Sequence, residues 1–335
     1  MNIQNFVVGF VLIAFFACNE KVDNGQIASS LPEGKKFLDP ANMDTTINPA
    51  DDFYSYANGG WLKSTTIPAS ETRWGSFNLL EDFNKKALKG ILENASAKTN
   101  TKKGSPEQMV GDLFASGMDT TAIDKAGFSS IQSELDKIAA VKDVSTLLDE
   151  IARENNIGLN PLFNLYVGPD DKNVTKNIIN LFQGGLGLPD RDYYLKNEPR
   201  ETDIRAKYLA YISKLLTLSG DSAAIADKKA KSIMALETSM AKASLDRVSM
   251  RDPYKMYNKF SVASFTAKTP GVDWNILLPK MLLPTKDSVL VGTPNFFVAF
   301  SGLLKTTSIE DWKTYLRWHM LNNMAPYMAK QFDSE

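Results

Sequence analysis

The feature that most constrains this chain is the recurrence of apolar stripes at helical spacing, each preceded by a capping signal. Apolar residues at i, i+3, i+4 and i+7 share one face of a helix, and that face must be buried against another element. Ile204, Tyr208, Tyr211, Ile212, Leu215 and Leu216 form one such stripe, with Gly220 just past its end. Ser105-Pro106-Glu107-Gln108 is a capping box with proline at the first helical position, and Met109, Val110, Leu113, Phe114 and Met118 are expected to face inward after it. Ser129 with Gln132 repeats the signal ahead of Ile131, Leu135 and Ile138. Asp143 caps a helix that turns Val144, Leu147, Leu148 and Ile151 inward. Asp221 opens another, carrying Ile225, Ile233, Leu236, Met240 and Ala243. Residues 294–304 form a helix, and Ser308 caps the last one, whose apolar face holds Trp312, Tyr315, Leu316, His319, Met320, Met324, Tyr327 and Met328. No fixed period relates these units, so a solenoid is excluded. The pattern predicts a mainly α, multi-helical fold.

One stretch breaks it. Phe163, Leu165 and Val167 alternate with Leu162, Asn164 and Tyr166, residues 177–182 form a second extended run, and turn formers fill 169–173. This is a small antiparallel β-hairpin. Residues 289–292 add a short strand, and 245–257 read as a loop. Between a glycine-rich loop at 184–187 and the next helix lies Asp190-Arg191-Asp192, expected to pin the loop by Asp–Arg pairing or to contribute to a site.

Residues 49–83 concentrate the aromatic and turn-forming signals. Asp51-Asp52 suit a helix start, where carboxylates face the positive end of the dipole, and Phe53, Tyr56 and Ala57 fall on one face. Gly59-Gly60 is expected to end this helix. Ile67 before Pro68 is extended. A second helix begins near Gly75 and is expected to bury Phe77, Leu80, Phe83, Ala87, Leu88 and Ile91. Arg73 sits in the polar loop before it, either solvated or presenting its planar fork to a carboxylate.

A net charge of −1 over 335 residues gives no field that would draw nucleic acid or an anionic membrane surface. The apolar run Phe6–Phe16 is too short to span a bilayer and fits a signal-peptide core, so residues 1–17 read as a signal peptide. Cys18, the single cysteine, is a candidate for lipidation, or an incidental residue after an ordinary signal peptide. Phe15-Phe16 and the lack of Lys or Arg in residues 1–5 depart from a bacterial lipid-attachment motif. Residues 18–36 read as a flexible tether and 37–335 as the folded domain. With no other cysteine there is no disulfide framework and no thiol nucleophile.

A catalytic zinc site needs three protein ligands and an open position, and H-E-x-x-H supplies two of them on one helix face. The single histidine, His319, is followed by Met-Leu-Asn-Asn and falls in the stripe of the last helix, so it reads as a packed core residue. No catalytic or metal-ligating residue is assigned. Carboxylate pairs at Asp51/Asp52, Asp170/Asp171 and Asp190/Asp192 would serve a glycosidase only at a defined separation across a cleft.

The run DDFYSYANGGWLK, then IP, then RWGSFNLLED at 51–82 resembles the opening of the extracellular domain of the neprilysin and endothelin-converting-enzyme family of zinc metallopeptidases. Further segments resemble it in order: NPLFNLYVGPDDKN at 160–173, LGLPDRDYYL at 186–195, RDPYKMYNKF at 251–260, VLVGTPNFF at 289–297 and DWKTYLRWHMLNNMAPYM at 311–328. The resemblance covers about residue 37 to 335 and is closest to the bacterial secreted branch, since the animal members carry disulfides. It implies the N-terminal half of a two-lobed zinc metalloendopeptidase that hydrolyses oligopeptides, with this chain forming most of the lobe that caps the substrate cavity. Zinc, its ligands and the catalytic glutamate would belong to a C-terminal region absent here, so the chain alone is expected to bind no zinc and to be inactive. By resemblance Arg73 binds the peptide's free C-terminal carboxylate. Asn78 stands where the family has an aspartate beside that arginine. The implied location is the bacterial cell envelope, through a lipid anchor at Cys18. Two other readings are a lipid-anchored, inactive peptide-binding module and a carboxylate hydrolase.

Overall fold

Asp52 starts the first helix as its sequence position suggested. Its carboxylate accepts from the Ser55 amide at 3.0 Å and the Ser55 hydroxyl at 2.6 Å, satisfying donors that the first turn leaves open. The resulting helix, α1 (Phe53–Ser64), runs straight through Gly59-Gly60 instead of ending there. The two glycines serve close approach. A 3-10 turn at Pro40–Asn42 and the residues after it lie against them, so that a Cβ on Gly59 would sit 2.6 Å from Asp44 Cβ. A Cβ on Gly60 would sit 2.9 Å from the Met43 carbonyl oxygen and would strike that of Ala41. The conformational cost of glycine inside a helix, about 1 kcal/mol relative to alanine, is offset by this contact. Asp44 completes it, receiving Lys63 Nζ at 2.6 Å and both the amide and hydroxyl of Thr46.

The computed structural model describes residues 38–283 and 287–333, and Cys18, the signal peptide and the tether lie outside them. The described residues fall into two compact units, divided between Ala115 and Ser116. After α1 the first unit contains α2 (Ser76–Ser96) and most of α3 (Pro106–Met118). These helices meet at Gly111, where a Cβ would lie 2.6 Å from the Ala95 carbonyl oxygen. The capping box before α3 forms with a change of partner: Ser105 Oγ accepts from the Gln108 amide at 3.3 Å, but Gln108 Oε1 takes the Gly104 amide at 2.9 Å. The stripes of both helices have the expected spacing but not the expected burial. Phe77 is 89% exposed and Leu113 75%, and Leu80, Leu88, Ile91, Met109, Val110 and Met118 are exposed too. Ala87 is also exposed, and Phe83 and Phe114 are half-buried. Periodicity forms a helix without supplying what covers it.

The second unit opens with α4 (Thr120–Ala126), which no periodic signal announced. A 3-10 turn at Ser129–Ile131 then leads to α5 (Gln132–Ala139). Ser129 donates its hydroxyl to the Ala126 carbonyl and does not cap the helix. In α6 (Val144–Asn156) the Asp143 and Thr146 side chains cap each other's backbone amides. The hairpin forms as expected from β1 (Phe163–Asp170) and β2 (Asn173–Gln183), antiparallel in register from Phe163–Gln183 down to a bulge at Pro169/Asp170.

The rest of the second unit follows as α7 (Asp192–Leu195), α8 (Pro199–Leu218), α9 (Ala223–Ala243), α10 (Pro253–Met256), β3 (Lys259–Ser261), α11 (Val262–Lys268), α12 (Trp274–Lys280), β4 (Ser288–Val291), α13 (Pro294–Thr306), α14 (Ile309–Met324) and α15 (Lys330–Asp333). The hairpin is one edge of a four-stranded sheet ordered β1-β2-β4-β3, with β4 parallel to β2 and antiparallel to β3. The segment expected as a loop at 245–257 holds a 3-10 turn and α10. Phe163 of β1 centres an aromatic core, its ring 5.7 Å from Trp274, 5.5 Å from Phe297 and 6.1 Å from Phe300. Trp312 and Tyr315 of α14 are fully buried, as the stripe predicted, and so is Trp318, which the stripe did not include, whereas Ile225 and Tyr327 are exposed. Among the described residues no helix is long and apolar enough to cross a membrane.

Candidate functional site

In the first unit, residues 65–75 lead from α1 to the start of α2. Arg73 is exposed, two residues before the cap residue Gly75, and Asn78 is half-buried in the first turn of α2. Both therefore lie at the positive end of one helix dipole. No hydrogen bond joins them, and among the described residues neither has a protein partner, so the Arg73 fork is open to an incoming carboxylate.

In the second unit a cavity of about 510 Å³ lies where the glycine-rich loop leaves β2. Packed behind the glycine loop of its lining is an aromatic and acidic network that nothing local in the sequence marks. Glu237 of α9 is completely buried and accepts from Tyr194 at 2.7 Å and from Tyr208 at 3.0 and 2.9 Å. Trp318 Nε1 donates to Tyr208 Oη at 3.2 Å. Burial, then the charge of Glu237, pushes both tyrosine hydroxyls well above their ordinary pKa, so they remain donors. The glycines let these hydroxyls approach the backbone. Gly185 (φ +73°) accepts from Tyr315 at 2.7 Å, and a Cβ on Gly187 would collide with Tyr208 Oη.

The wall above carries the residues singled out in the sequence, with different partners. Asp190 pairs with Arg247 Nε at 2.6 Å rather than with Arg191. Arg191 donates Nη1 to the Ser244 carbonyl at 2.6 Å. Gln183 clamps Leu245, giving Nε2 to its carbonyl at 2.9 Å and taking its amide at 2.7 Å. Arg247 and Leu245 are more than 50 residues from their partners, so nothing local in the sequence reveals these bonds.

His319 is buried, as its stripe suggested, with its ring 4.3 Å from that of Tyr315. Its Nε2 lies 3.3 Å from Glu237 Oε1, close enough for charge attraction but without hydrogen-bond geometry. A catalytic zinc does not fit here. Both Glu237 oxygens already receive tyrosine hydroxyls, and among the described residues no three His, Cys, Asp or Glu side chains are grouped to hold a metal.

A second buried acid stands apart from the cavity network. Glu154 of α6 is wholly buried, and neither carboxylate oxygen has a hydrogen-bond partner. The nearby Arg153 guanidinium is committed to Glu150 at 2.9 and 2.7 Å and to Glu134 at 2.5 Å. Burial first, and then the negative charge of Glu150, push the Glu154 carboxyl up to about 8.

The profile of Peptidase family M13 matches residues 49–335. Endothelin-converting enzyme 1 of Mus musculus is 27% identical over 303 residues, covering 87% of this chain and 39% of that protein. An endothelin-converting enzyme homolog of Locusta migratoria is 28% identical over 310 residues, covering 87% of this chain and 42% of its own length. Among solved structures, the inhibitor complex of the Mycobacterium tuberculosis zinc metalloprotease ZMP1 superposes with a TM-score of 0.79 at 28% identity, over 89% of this chain and 45% of that one. PepO of Lactobacillus rhamnosis superposes with a TM-score of 0.67 at 19% identity, which bears on the fold alone. A mainly helical scaffold with a small sheet, matched along this span, defines the N-terminal domain of a metallopeptidase. The chain belongs to peptidase family M13, and it spans less than half the length of these relatives.

Proposed function

We propose that this chain is the N-terminal part of a zinc metalloendopeptidase that hydrolyses oligopeptides, and that it forms the helical lobe capping the substrate cavity. The observation that carries this reading is the family match over 49–335, in a chain among whose described residues no three His, Cys, Asp or Glu side chains are grouped to hold a zinc. Zinc, its ligands and the hydrolytic chemistry then come from a C-terminal region outside this chain. The exposure of Phe77, Leu80, Leu88 and Ile91 along the stripe of α2 supports an interaction face, because several exposed apolar residues on one helix face mark one. In this reading Arg73 receives the peptide's terminal carboxylate. Asn78 adds a hydrogen bond but no charge. Residues 1–17 are removed, Cys18 is lipidated, and residues 18–36 tether the domain to the bacterial envelope. The absence of a fitting zinc set also favours a second reading, an inactive lipid-anchored peptide-binding module.

The test mixes the chain with a C-terminal region bearing an H-E-x-x-H motif and follows a quenched-fluorescent oligopeptide. Cleavage should require both pieces. In the mixture Arg73→Ala should raise KM about tenfold or more for peptides with a free C-terminal carboxylate and leave amidated ones unchanged, as expected for loss of one charge-assisted contact. Equal effects on both peptides would remove Arg73 from carboxylate recognition. No cleavage in the mixture, with peptide binding retained, would favour the second reading.

A further inference from the structure

We propose that the cavity between the glycine-rich loop 184–187 and the Ser244–Met250 segment binds a carboxylate of a peptide ligand through Arg247 and Arg191. The peptide nature of the ligand rests on the function proposed above; the carboxylate preference rests on this cavity alone.

The charge balance is the first argument. Arg191 and Arg247 are the guanidinium groups of the wall, and Asp190 is its carboxylate. Asp190 is already spent: Oδ2 on Arg247 Nε at 2.6 Å and Oδ1 on the Asp192 amide at 2.8 Å. Arg247 therefore holds one edge fixed by an acid while its Nη1 and Nη2 donate to no protein acceptor among the described residues. Arg191 is held by the Ser244 carbonyl through Nη1, which leaves Nη2 without a partner. Two oriented guanidinium groups with open nitrogens and no free acid beside them suit a planar, bidentate anion.

The second argument is the wall between them. No protein acceptor among the described residues takes the amide of Gly185, Leu186 or Gly187. The loop cannot turn to find one, because its glycines are wedged against the Tyr315 and Tyr208 hydroxyls. Asn322 Oδ1 accepts from the Tyr211 hydroxyl at 2.9 Å, which leaves the Asn322 amide hydrogens to donate, while Asn164 Nδ2 donates to the Gln183 carbonyl at 3.0 Å, which leaves the Asn164 Oδ1 to accept. The cavity thus offers fixed donors and acceptors of the kind that pair with a peptide backbone. Phe182 and Met250 supply apolar wall. At about 510 Å³ it is large enough for two or three residues of an extended chain. The Gln183–Leu245 clamp holds the two sides of the cavity together before any ligand arrives, so little ordering cost attaches to binding.

The test is calorimetric titration of the full chain with three probes: a five-residue peptide blocked at both ends with one central glutamate, its glutamine counterpart, and an apolar peptide with a free C-terminal carboxylate. At least one carboxylate peptide should bind ten or more times tighter than the glutamine peptide. Tighter binding of the glutamate peptide assigns the site to acidic side chains, and of the third probe to chain ends. Arg247→Gln, at a largely exposed side chain whose bond in the fold is the ion pair with Asp190, should weaken that binding tenfold or more. Arg191→Lys keeps the charge, loses the fork and should fall between. Arg73→Ala should leave unchanged the affinity for the end-blocked glutamate peptide, which has no chain-end carboxylate for Arg73 to receive. Equal binding of all three peptides, no binding, or an Arg247→Gln protein that melts and binds like the parent would overturn the proposal. Loss of binding in Arg73→Ala but not in Arg247→Gln would overturn it while supporting the function proposed above.

Discussion

Glu154→Gln tests the energetics of the second unit most directly. A glutamate in the unfolded chain titrates near 4.5, while in the folded protein the carboxyl is held near 8. Below pH 4.5 the group is protonated in both states and contributes nothing to the pH dependence. Between those values the unfolded chain gives up its proton and the folded protein keeps it, so stability falls as pH rises, and above pH 8 the loss is complete. About 3.5 pH units separate the two states, which at ~1.36 kcal/mol per unit is a destabilisation on the order of 5 kcal/mol at pH 8. Glutamine keeps the shape and removes the titration. The assay is a thermal melt of both proteins from pH 4.5 to 8.5 at constant ionic strength. The melting temperatures should be close at pH 4.5 and separate in favour of the variant by roughly 3 °C per pH unit, since ~1 kcal/mol shifts Tm by 2–4 °C in a unit of this size. A difference that stays flat with pH would mean that Glu154 is ionised in the folded state and that its burial is compensated in some other way.

Three other outcomes follow from the geometry. Gly60→Ala should destabilise the first unit by about 2 kcal/mol or more, since the new methyl meets the Ala41 and Met43 carbonyls, and local hydrogen exchange in α1 should rise. Tyr208→Phe should cost about 1–3 kcal/mol in urea unfolding, because Glu237 loses a donor while remaining wholly buried. Asp170 is held down to about 2, mainly by Lys259 and then by the Lys172 amide, so its stabilising contribution is present above its ordinary 3.8 and is lost as pH falls through about 2. Asp170→Asn should accordingly flatten the acid limb of the stability curve.

How much of this protein could be read without coordinates depends on the range of the interaction. The longer helices, the Asp52 and Asp143 caps, the hairpin and the burial of Trp312, Tyr315 and Leu316 were legible, because each depends on residues within about one turn or one strand pair of each other, whereas the short α4 and α10 were not. Gly59-Gly60 misled for the same reason: their role is set by Ala41 to Asp44, which a local reading ignores in favour of a helix stop. The α2 and α3 stripes have the right period, but most of their residues are exposed, and periodicity carries no information about the partner. Arg73 was found through its position before a helix, and its exposure leaves that reading intact without testing it. The cavity was half legible. Asp190 and Arg191 stood out as charges in a loop, but Arg247, Glu237 and Asn322 come from three distant segments with no shared spacing. The longer helices and the Asp52, Asp143 and Ser308 caps are written into the local sequence, because these are short-range balances of propensity, periodicity and backbone hydrogen bonding. Only the tertiary structure decided that the hairpin is extended by β4 and β3, that Glu154 and Glu237 are buried acids with opposite surroundings, and which partners the Asp190 and Arg191 side chains take, because burial and charge pairing are properties of neighbours brought together by folding.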